Sequence, residues 1–218
     1  MLIGISGKKQ CGKNTVCSII QKIDSYLYSV GYKAELCTKE EVIHAVLNFK
    51  SSSLSEWGEH SFAEILKVCA SVILGNPIYK FESEDFKNKT TSIELTDSDG
   101  NTITNRRFLQ LFGTEVGRNI DPDIWIKALM RRYKDESSDL AKPKWIITDV
   151  RFPNEADTIK REGGLLIRVN RETNSNDSHP SEIALDNYED FDEIIDNNGS
   201  MEDLIGQIYD IILKYKLI

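Results

Sequence analysis

Histidine and cysteine are scarce: three His and four Cys in 218 residues, with no C-x-x-C pair among Cys11, Cys17, Cys37 and Cys69. That argues against a His/Cys zinc site and a disulfide framework, and it fits thiols kept reduced in a cytoplasmic compartment. No apolar run approaches the roughly 18–20 residues that span a bilayer, so no membrane partner is expected. The start, Met1-Leu2-Ile3-Gly4-Ile5-Ser6-Gly7, lacks the charged segment and long apolar stretch of a secretory signal. Basic residues are missing from one long region: between Glu172 and Asp210 there are 12 acidic residues and no Lys or Arg. The whole chain has 27 basic and 35 acidic residues, a net −8, which disfavours a nucleic-acid partner held by a basic surface. Residues 1–171 hold 25 basic residues and 35 − 12 = 23 acidic ones, a balance of +2, so a phosphate-handling surface is expected there. Ile, Leu, Phe and Tyr interleave the acidic stretch, which therefore reads as a packed region with a solvated face rather than a partner-binding tail.

Apolar periodicity switches between short runs and helical spacing, the mark of an α/β fold. Leu2–Ser6 reads as a strand. Val16, Ile19, Ile20, Ile23 and Leu27 place a first helix over Lys13–Ser29. Lys33–Cys37 reads as a second strand, followed by a polar segment at 50–55, and Phe62–Leu74 reads as a helix ended by Gly75-Asn76-Pro77. Ser92–Thr96 and Asn101–Thr104 flank Asp97-Ser98-Asp99-Gly100 as a hairpin. The segment from Arg106 to Gly117 looks helical in its first half, and Asp121-Pro122 opens a further helix. Trp145–Thr148 is a buried strand ending at Asp149. Pro153–Glu162 is a helix stopped by Gly163-Gly164, and Leu165–Val169 is another strand. Ser200 and Asp203 cap a last helix.

Chemistry concentrates in Gly7-Lys8-Lys9-Gln10-Cys11-Gly12-Lys13-Asn14-Thr15, a G-x-x-x-x-G-K run that follows a strand and opens a helix. Glycines let successive backbone N–H groups face a phosphate, and the helix N-terminus adds positive partial charge. Lys13 then neutralises the β- and γ-phosphates. Asn14 replaces the usual metal-binding Ser or Thr, and Thr15 follows as the candidate hydroxyl. Cys11 reads as a small residue in a tight loop. Asp149, at a strand end, would order magnesium or its waters, and Arg151 would reach a transferring phosphoryl group. A switch GTPase is disfavoured: Asp149-Val150-Arg151-Phe152 lacks the glycine of D-x-x-G, and Asn88-Lys89-Thr90-Thr91 lacks the aspartate of N-K-x-D. Lys9, Lys67, Arg106, Arg107, Arg118, Arg168 and Arg171 are the basic groups from which a site for a second anion could be drawn. Trp125, at helical spacing with Leu129, reads as core before it reads as a base platform.

Several segments together resemble the phage deoxynucleotide monophosphate kinases. They are Ser6–Thr15, Arg106-Arg107-Phe108-Leu109-Gln110-Leu111-Phe112-Gly113-Thr114-Glu115 with Trp125, Asp149-Val150-Arg151-Phe152-Pro153-Asn154-Glu155, Ile167–Arg171 through Ser175–His179 to Asp196–Ser200, and more weakly Phe62–Lys67. The resemblance implies an α/β P-loop kinase three-layer fold with a central parallel sheet. It implies a single domain over 1–218, with approximately 58–135 as the monophosphate-binding or lid insertion. The implied reaction moves the γ-phosphoryl group of ATP, with Mg2+, to a deoxynucleoside monophosphate, in the host cytoplasm if the chain is phage-encoded. Carried over by residue, Lys13, Asp149 and Arg151 act at the transfer centre. Gly7, Cys11, Gly12, Lys13, Asn14, Thr15 and Arg171 hold ATP, and Thr15 and Asp149 hold the metal. Lys9, Lys67, Arg106, Arg107, Gln110, Gly113, Thr114, Arg118, Trp125 and Glu155 form the acceptor site, with His179 a candidate contact to the ATP base. Asn14 departs from the family, which often has Asp there, and Leu36–Trp57 reads as an insertion. Two other readings stay open: a P-loop kinase for phosphomevalonate or dephospho-coenzyme A, and a non-catalytic nucleotide-binding regulator. A homodimer is left open as well.

Overall fold

The computed structural model describes residues 1–31, 33–48, 54–137, 142–172 and 180–218. They divide into two compact units, Met1–His60 with Ser137–Ile218, and Ser61–Glu136. His179 and most of the polar segment at 50–55 lie outside the described residues.

The first unit runs β1 (Leu2–Ser6), α1 (Lys13–Val30), α2 (Lys39–Asn48) and β2 (Trp57–His60). After the second unit the chain returns with β3 (Lys144–Val150), α8 (Pro153–Arg161), β4 (Leu165–Asn170), α9 (Pro180–Ile183), β5 (Glu193–Asp196) and α10 (Met201–Tyr215). All pairings are parallel, in the order β2-β3-β1-β4-β5. β1 is central and all five of its residues are buried, which is why it reads as an unbroken apolar run rather than an alternation. Its side chains still alternate between faces. Ile3 and Ile5 join the core built from α1, α2 and α10, whereas a Cβ on Gly4 would meet the Ile159 side chain of α8 at 2.9 Å. Helices therefore cover both faces of a parallel sheet, giving three layers of P-loop kinase type. α1 ends where Gly31, at φ 67, donates its N–H to Leu27 and Tyr28 carbonyls, and Ser200 and Asp203 form a reciprocal capping box at the start of α10.

Some expectations need correction. Lys33–Cys37 is no strand; Ala34–Leu36 forms a single 3₁₀ turn. The buried Tyr209 of α10 brings its hydroxyl within 2.5 Å of the Ala34 carbonyl and 2.8 Å of the Cys37 carbonyl, taking acceptors that a strand would offer to a neighbour. The edge strand on that side is instead β2, which starts at Trp57, where the region read as an insertion ends. That region also supplies α2, whose Val42 and Val46 complete the core one helical turn apart. β5, in the acidic stretch, was unforeseen. The acidic stretch is indeed packed, with Leu185, Ile195, Leu204, Ile205 and Ile208 all buried.

The second unit runs α3 (Glu64–Leu74), α4 (Glu84–Lys87), α5 (Asn105–Gln110), a π-helical segment (Leu111–Gly117), α6 (Arg118–Ile120) and α7 (Ile124–Glu136). Ala70, Leu74 and Phe81 form one small buried cluster in it, with Phe86, Leu95, Phe108 and Leu109 packed around them. The expected hairpin is reduced to isolated bridges, Thr96 to Thr102 and Thr90 to Thr104. Glu94 turns the chain at φ 51, and the Thr91 hydroxyl takes the Leu95 N–H, so the first strand cannot extend. Helix winding continues past Gln110, where only the first half was expected, but widens to i→i+5 spacing. The helix expected at Asp121-Pro122 begins at Ile124, because Asp121 first builds a turn by accepting from the Asp123 N–H at 2.8 Å. Among the described residues, no helix is long and apolar enough to cross a membrane.

Replacing Tyr209 with Phe keeps the packing and removes the one hydroxyl proton that the Ala34 and Cys37 carbonyls share. We expect a loss of about 1 kcal/mol and a Tm lower by about 2–4 °C, measured by thermal unfolding.

Candidate active site

Sheet register assembles the candidate site. Ser6, the last residue of β1, pairs with Val150 on one side and Arg168 on the other. Asp149 and Arg151 thus flank the strand position opposite the start of the phosphate loop, at the carboxyl edge where an open parallel sheet presents its ligands. β3 runs on through Asp149 to Val150, one residue beyond the expected end.

The loop is shaped by backbone conformations that side chains resist. Gly7 lies at φ 154, Gln10 at φ 64 and Gly12 at φ 104. A Cβ on Gly7 would meet Cys11 Sγ at 2.4 Å and the Val169 carbonyl oxygen at 2.6 Å, and one on Gly12 would meet Asn197 Nδ2 at 2.3 Å. Both glycines are therefore required by space as well as by dihedral angle. Cys11 is buried in the core, in keeping with a small packing residue. Asn197, just past β5, donates through Nδ2 to the Cys11 carbonyl at 2.8 Å and so braces the loop from below.

Lys13 opens α1, with no side-chain cap at Gly12, and α1 has no acidic residue in its first turn, so nothing there offsets the positive end of the helix dipole. The Lys13 ammonium does not point outward. It donates to the Gly7 carbonyl at 2.7 Å and the Lys8 carbonyl at 2.8 Å. Burial lowers its pKa from the usual lysine value; Cys11 opposes that lowering, Arg151 adds to it, and Glu182 and Asp149 oppose it. With the folded-state value depressed, the cost of holding this charge is fully present at low pH and is relieved as the pH rises through the folded pKa toward 10.5. Asn14 is exposed and Thr15 half-buried on the first turn of α1.

Arg151 is oriented from two directions. Its backbone N–H, and that of Phe152 at 3.1 Å, donate to Glu155 Oε2, with 2.7 Å for Arg151. Its guanidinium pairs with Glu182 Oε1. Glu155, expected among the acceptor contacts, is 3% exposed and its carboxylate is spent on these amides at the start of α8. Glu182 was not foreseen at all. Its other oxygen accepts the Lys9 backbone N–H at 3.1 Å, and its carbonyl accepts from Lys8 Nζ at 2.9 Å. Arg168 donates to Ser6 Oγ at 3.1 Å and approaches Asp186 at 3.6 Å, while Arg171 is exposed just past β4. The general signal was an acidic stretch with no cations of its own, which pairs with cations from earlier in the chain, as Lys8–Asp186, Lys39–Asp210 and Lys160–Asp192 also show, but it does not single out Glu182.

The donor set suits magnesium. A half-buried threonine hydroxyl and a half-buried aspartate fit a cation that keeps waters and leans on substrate phosphates. Among the described residues no group of three or more His, Cys, Asp or Glu forms an all-protein metal cage.

The second unit gathers a different set. Arg107 and Gln110 lie one turn apart on α5, and Gly113 and Thr114 follow in the π-helical segment. Arg106 is held by Glu84 at 2.5 Å and Asn88 at 3.3 Å, and Lys67 by Glu82 at 2.8 Å. Arg118 donates to the Pro122 carbonyl at 3.0 Å. Arg107 is half-exposed, 3.6 Å from Glu115. Trp125 is 8% exposed, and its indole N–H donates to the Gly113 carbonyl at 2.8 Å. A Cβ on Gly117 would collide with that ring at 2.5 Å, and one on Gly113 with Leu66 at 2.7 Å. Trp125 thus supports the π-helical segment from within the unit.

Comparison with known proteins agrees with this chemistry. Residues 46–208 match the family model described as deoxynucleotide monophosphate kinase. A protein of Acanthamoeba polyphaga mimivirus, provisionally named a deoxynucleotide monophosphate kinase, is 32% identical over 160 residues, 69% of this chain and 80% of its own length. The deoxynucleotide monophosphate kinase of Escherichia phage RB69 is 33% identical over 59% of this chain and 52% of its own length. That of Enterobacteria phage T4 is 30% identical over 63% and 58%. The matched region thus spans somewhat more than half of these two phage relatives.

At Gly12 the structure makes a sharp demand. Gly12→Ala adds a Cβ in a left-handed conformation against Asn197, and should cost roughly 1–3 kcal/mol of stability. The double variant with Asn197→Ala relieves the contact but not the dihedral strain, so thermal unfolding should show only partial recovery.

Proposed function

The chain belongs to the deoxynucleotide monophosphate kinase family, and from that premise we propose that it transfers the γ-phosphoryl group of ATP directly to a deoxynucleoside monophosphate. The observation that carries this reading is the phosphate loop at the carboxyl edge of β1, with Lys13 inside it and Asp149 and Arg151 beside it. In this reading the amides around Gly7, Cys11, Gly12, Asn14 and Thr15 hold the ATP phosphates, Lys13 swings from the loop carbonyls onto them, and Arg171 contacts the nucleotide. Thr15 and Asp149 would hold Mg2+, which when bound draws charge from the phosphate oxygens. Arg151 neutralises the transferring group, and Glu155 keeps the backbone of Arg151 in place.

A monophosphate is already ionised near neutral pH, so its nucleophilic oxygen needs no general base. The remaining tasks are to align two anions, screen their repulsion and exclude water. The acceptor role is assigned to Arg107, Gln110 and Thr114 on the α5–π segment, and separately to Lys9 of the phosphate loop. Lys67, Arg106 and Arg118 shape that segment's surroundings, and Gly113 and Trp125 position it from inside. A guanidinium fork at Arg107 would grip a phosphate through two parallel hydrogen bonds that a lysine cannot copy.

Steady-state kinetics with ATP, magnesium and dGMP, dTMP, GMP or UMP tests the proposal. A site that leaves a 2′-hydroxyl buried without a partner favours deoxynucleotides by about tenfold to a hundredfold. Equal use of GMP and dGMP, or no transfer to any monophosphate, would contradict the assignment. Lys13→Met should lower kcat/KM by roughly a hundredfold or more, about 3 kcal/mol. Arg107→Lys should raise the KM for the monophosphate well beyond any change in the KM for ATP; an effect confined to ATP would move Arg107 out of the acceptor site.

A further inference from the structure

One carboxylate occupies the phosphate loop itself. Glu182, on α9, places Oε2 3.1 Å from the Lys9 backbone N–H and pairs Oε1 with the Arg151 guanidinium. Its side chain is only 9% exposed. These donors, an amide of the loop and an arginine at the edge of β3, are of the kind a nucleotide phosphate uses: a backbone N–H turned inward and a guanidinium fork. The segment carrying Glu182 is clipped down by further charge pairs. Lys8 Nζ reaches the Glu182 carbonyl at 2.9 Å and also pairs with Asp186, and Arg168 lies 3.6 Å from Asp186. Lys13 meanwhile bonds to the Gly7 and Lys8 carbonyls of the loop.

We propose that Glu182 is a positioning residue of the nucleotide site, a carboxylate that stands in for a phosphate in the ligand-free chain and yields its donors when nucleotide enters. The inference rests on the kinase reading above. Glu182 gives the Lys9 amide an acceptor and holds Arg151 at the sheet edge. A nucleoside di- or triphosphate brings more negative charge than one carboxylate and makes the same contacts with more oxygens, so it displaces Glu182. The Arg151 fork is then released to the phosphates, already placed. The apparent affinity is the intrinsic one multiplied by the fraction of chains in which Glu182 has let go, because only those accept the ligand. An ion pair that merely fastened α9 would have a different signature: its loss would lower stability and leave nucleotide binding unchanged.

The experiment titrates ADP with magnesium into the full-length wild type, Glu182→Gln and Asp186→Asn by calorimetry, with stopped-flow measurement of the association rate and thermal unfolding of each chain. Glu182→Gln keeps the shape and removes the charge; Asp186→Asn loosens the clip without touching Glu182. Glu182→Gln should bind ADP roughly fivefold or more tightly, with faster association, and Asp186→Asn should move the same way by less. In turnover, Glu182→Gln should lower the KM for ATP without raising kcat. Wild-type binding of ADP with Glu182→Gln and Asp186→Asn unchanged or weakened would overturn this inference and leave the kinase reading standing. A wild-type chain that fails to bind ADP would overturn both.

Discussion

A loop that keeps its backbone N–H groups turned inward has to hold that shape before any phosphate arrives. The surroundings of Gly7–Thr15 answer this constraint. Two glycines supply dihedral angles and clearances that a Cβ would deny. Asn197 ties the Cys11 carbonyl from beneath. Lys13 closes the loop by bonding to its own carbonyls, and Glu182 gives one amide an acceptor. Each bond is modest, but an unpaired buried donor or acceptor would cost about 1–3 kcal/mol, so the loop is stable only when all of them are made. The sheet then supplies what the loop lacks: register between β1 and β3 puts a carboxylate and a guanidinium beside it.

The second unit meets a comparable demand with different means. Its α5–π segment carries Arg107, Gln110 and Thr114, and the wider π winding changes which residues share a face. Glycines at 113 and 117 let Leu66 and Trp125 pack directly against the backbone, and the Trp125 indole N–H satisfies the Gly113 carbonyl. A tryptophan in such a place contributes rigidity: a large apolar body fixed by one polar handle. The polar residues outside are then carried on a support that cannot easily shift.

Much of this was legible in the sequence because central strands of a parallel sheet announce themselves. Leu2–Ser6, Trp145–Thr148 and Leu165–Val169 are apolar on both faces, and the phosphate loop and its helix follow by spacing alone. Edge strands carry no such signal. Trp57-Gly58-Glu59-His60 has one fully buried residue and Glu193–Asp196 likewise, so β2 and β5 were hidden by their polar composition. Lys33–Cys37 misled because its short run resembles a strand, and the hydroxyl that claims its carbonyls is on a helix about 170 residues later. Of the candidate site, Lys13, Asp149 and Arg151 were legible as residue types at strand ends. Glu182 was not: one acid among 12 in a stretch without cations gives no hint that it reaches residues 9 and 151. Glu155 was legible as part of a motif but not as an acceptor of backbone amides.

The central claim is that the chain moves a phosphoryl group from ATP to a deoxynucleoside monophosphate in one displacement, with no group on the protein taking it in between. The most direct measurement uses ATP made chiral at the γ-phosphorus with oxygen isotopes, and a deoxynucleoside monophosphate as acceptor. The account predicts that the label appears in the β-phosphate of the deoxynucleoside diphosphate with inverted configuration, as a single in-line transfer requires. Label recovered only in inorganic phosphate, or transferred with retained configuration, would contradict it.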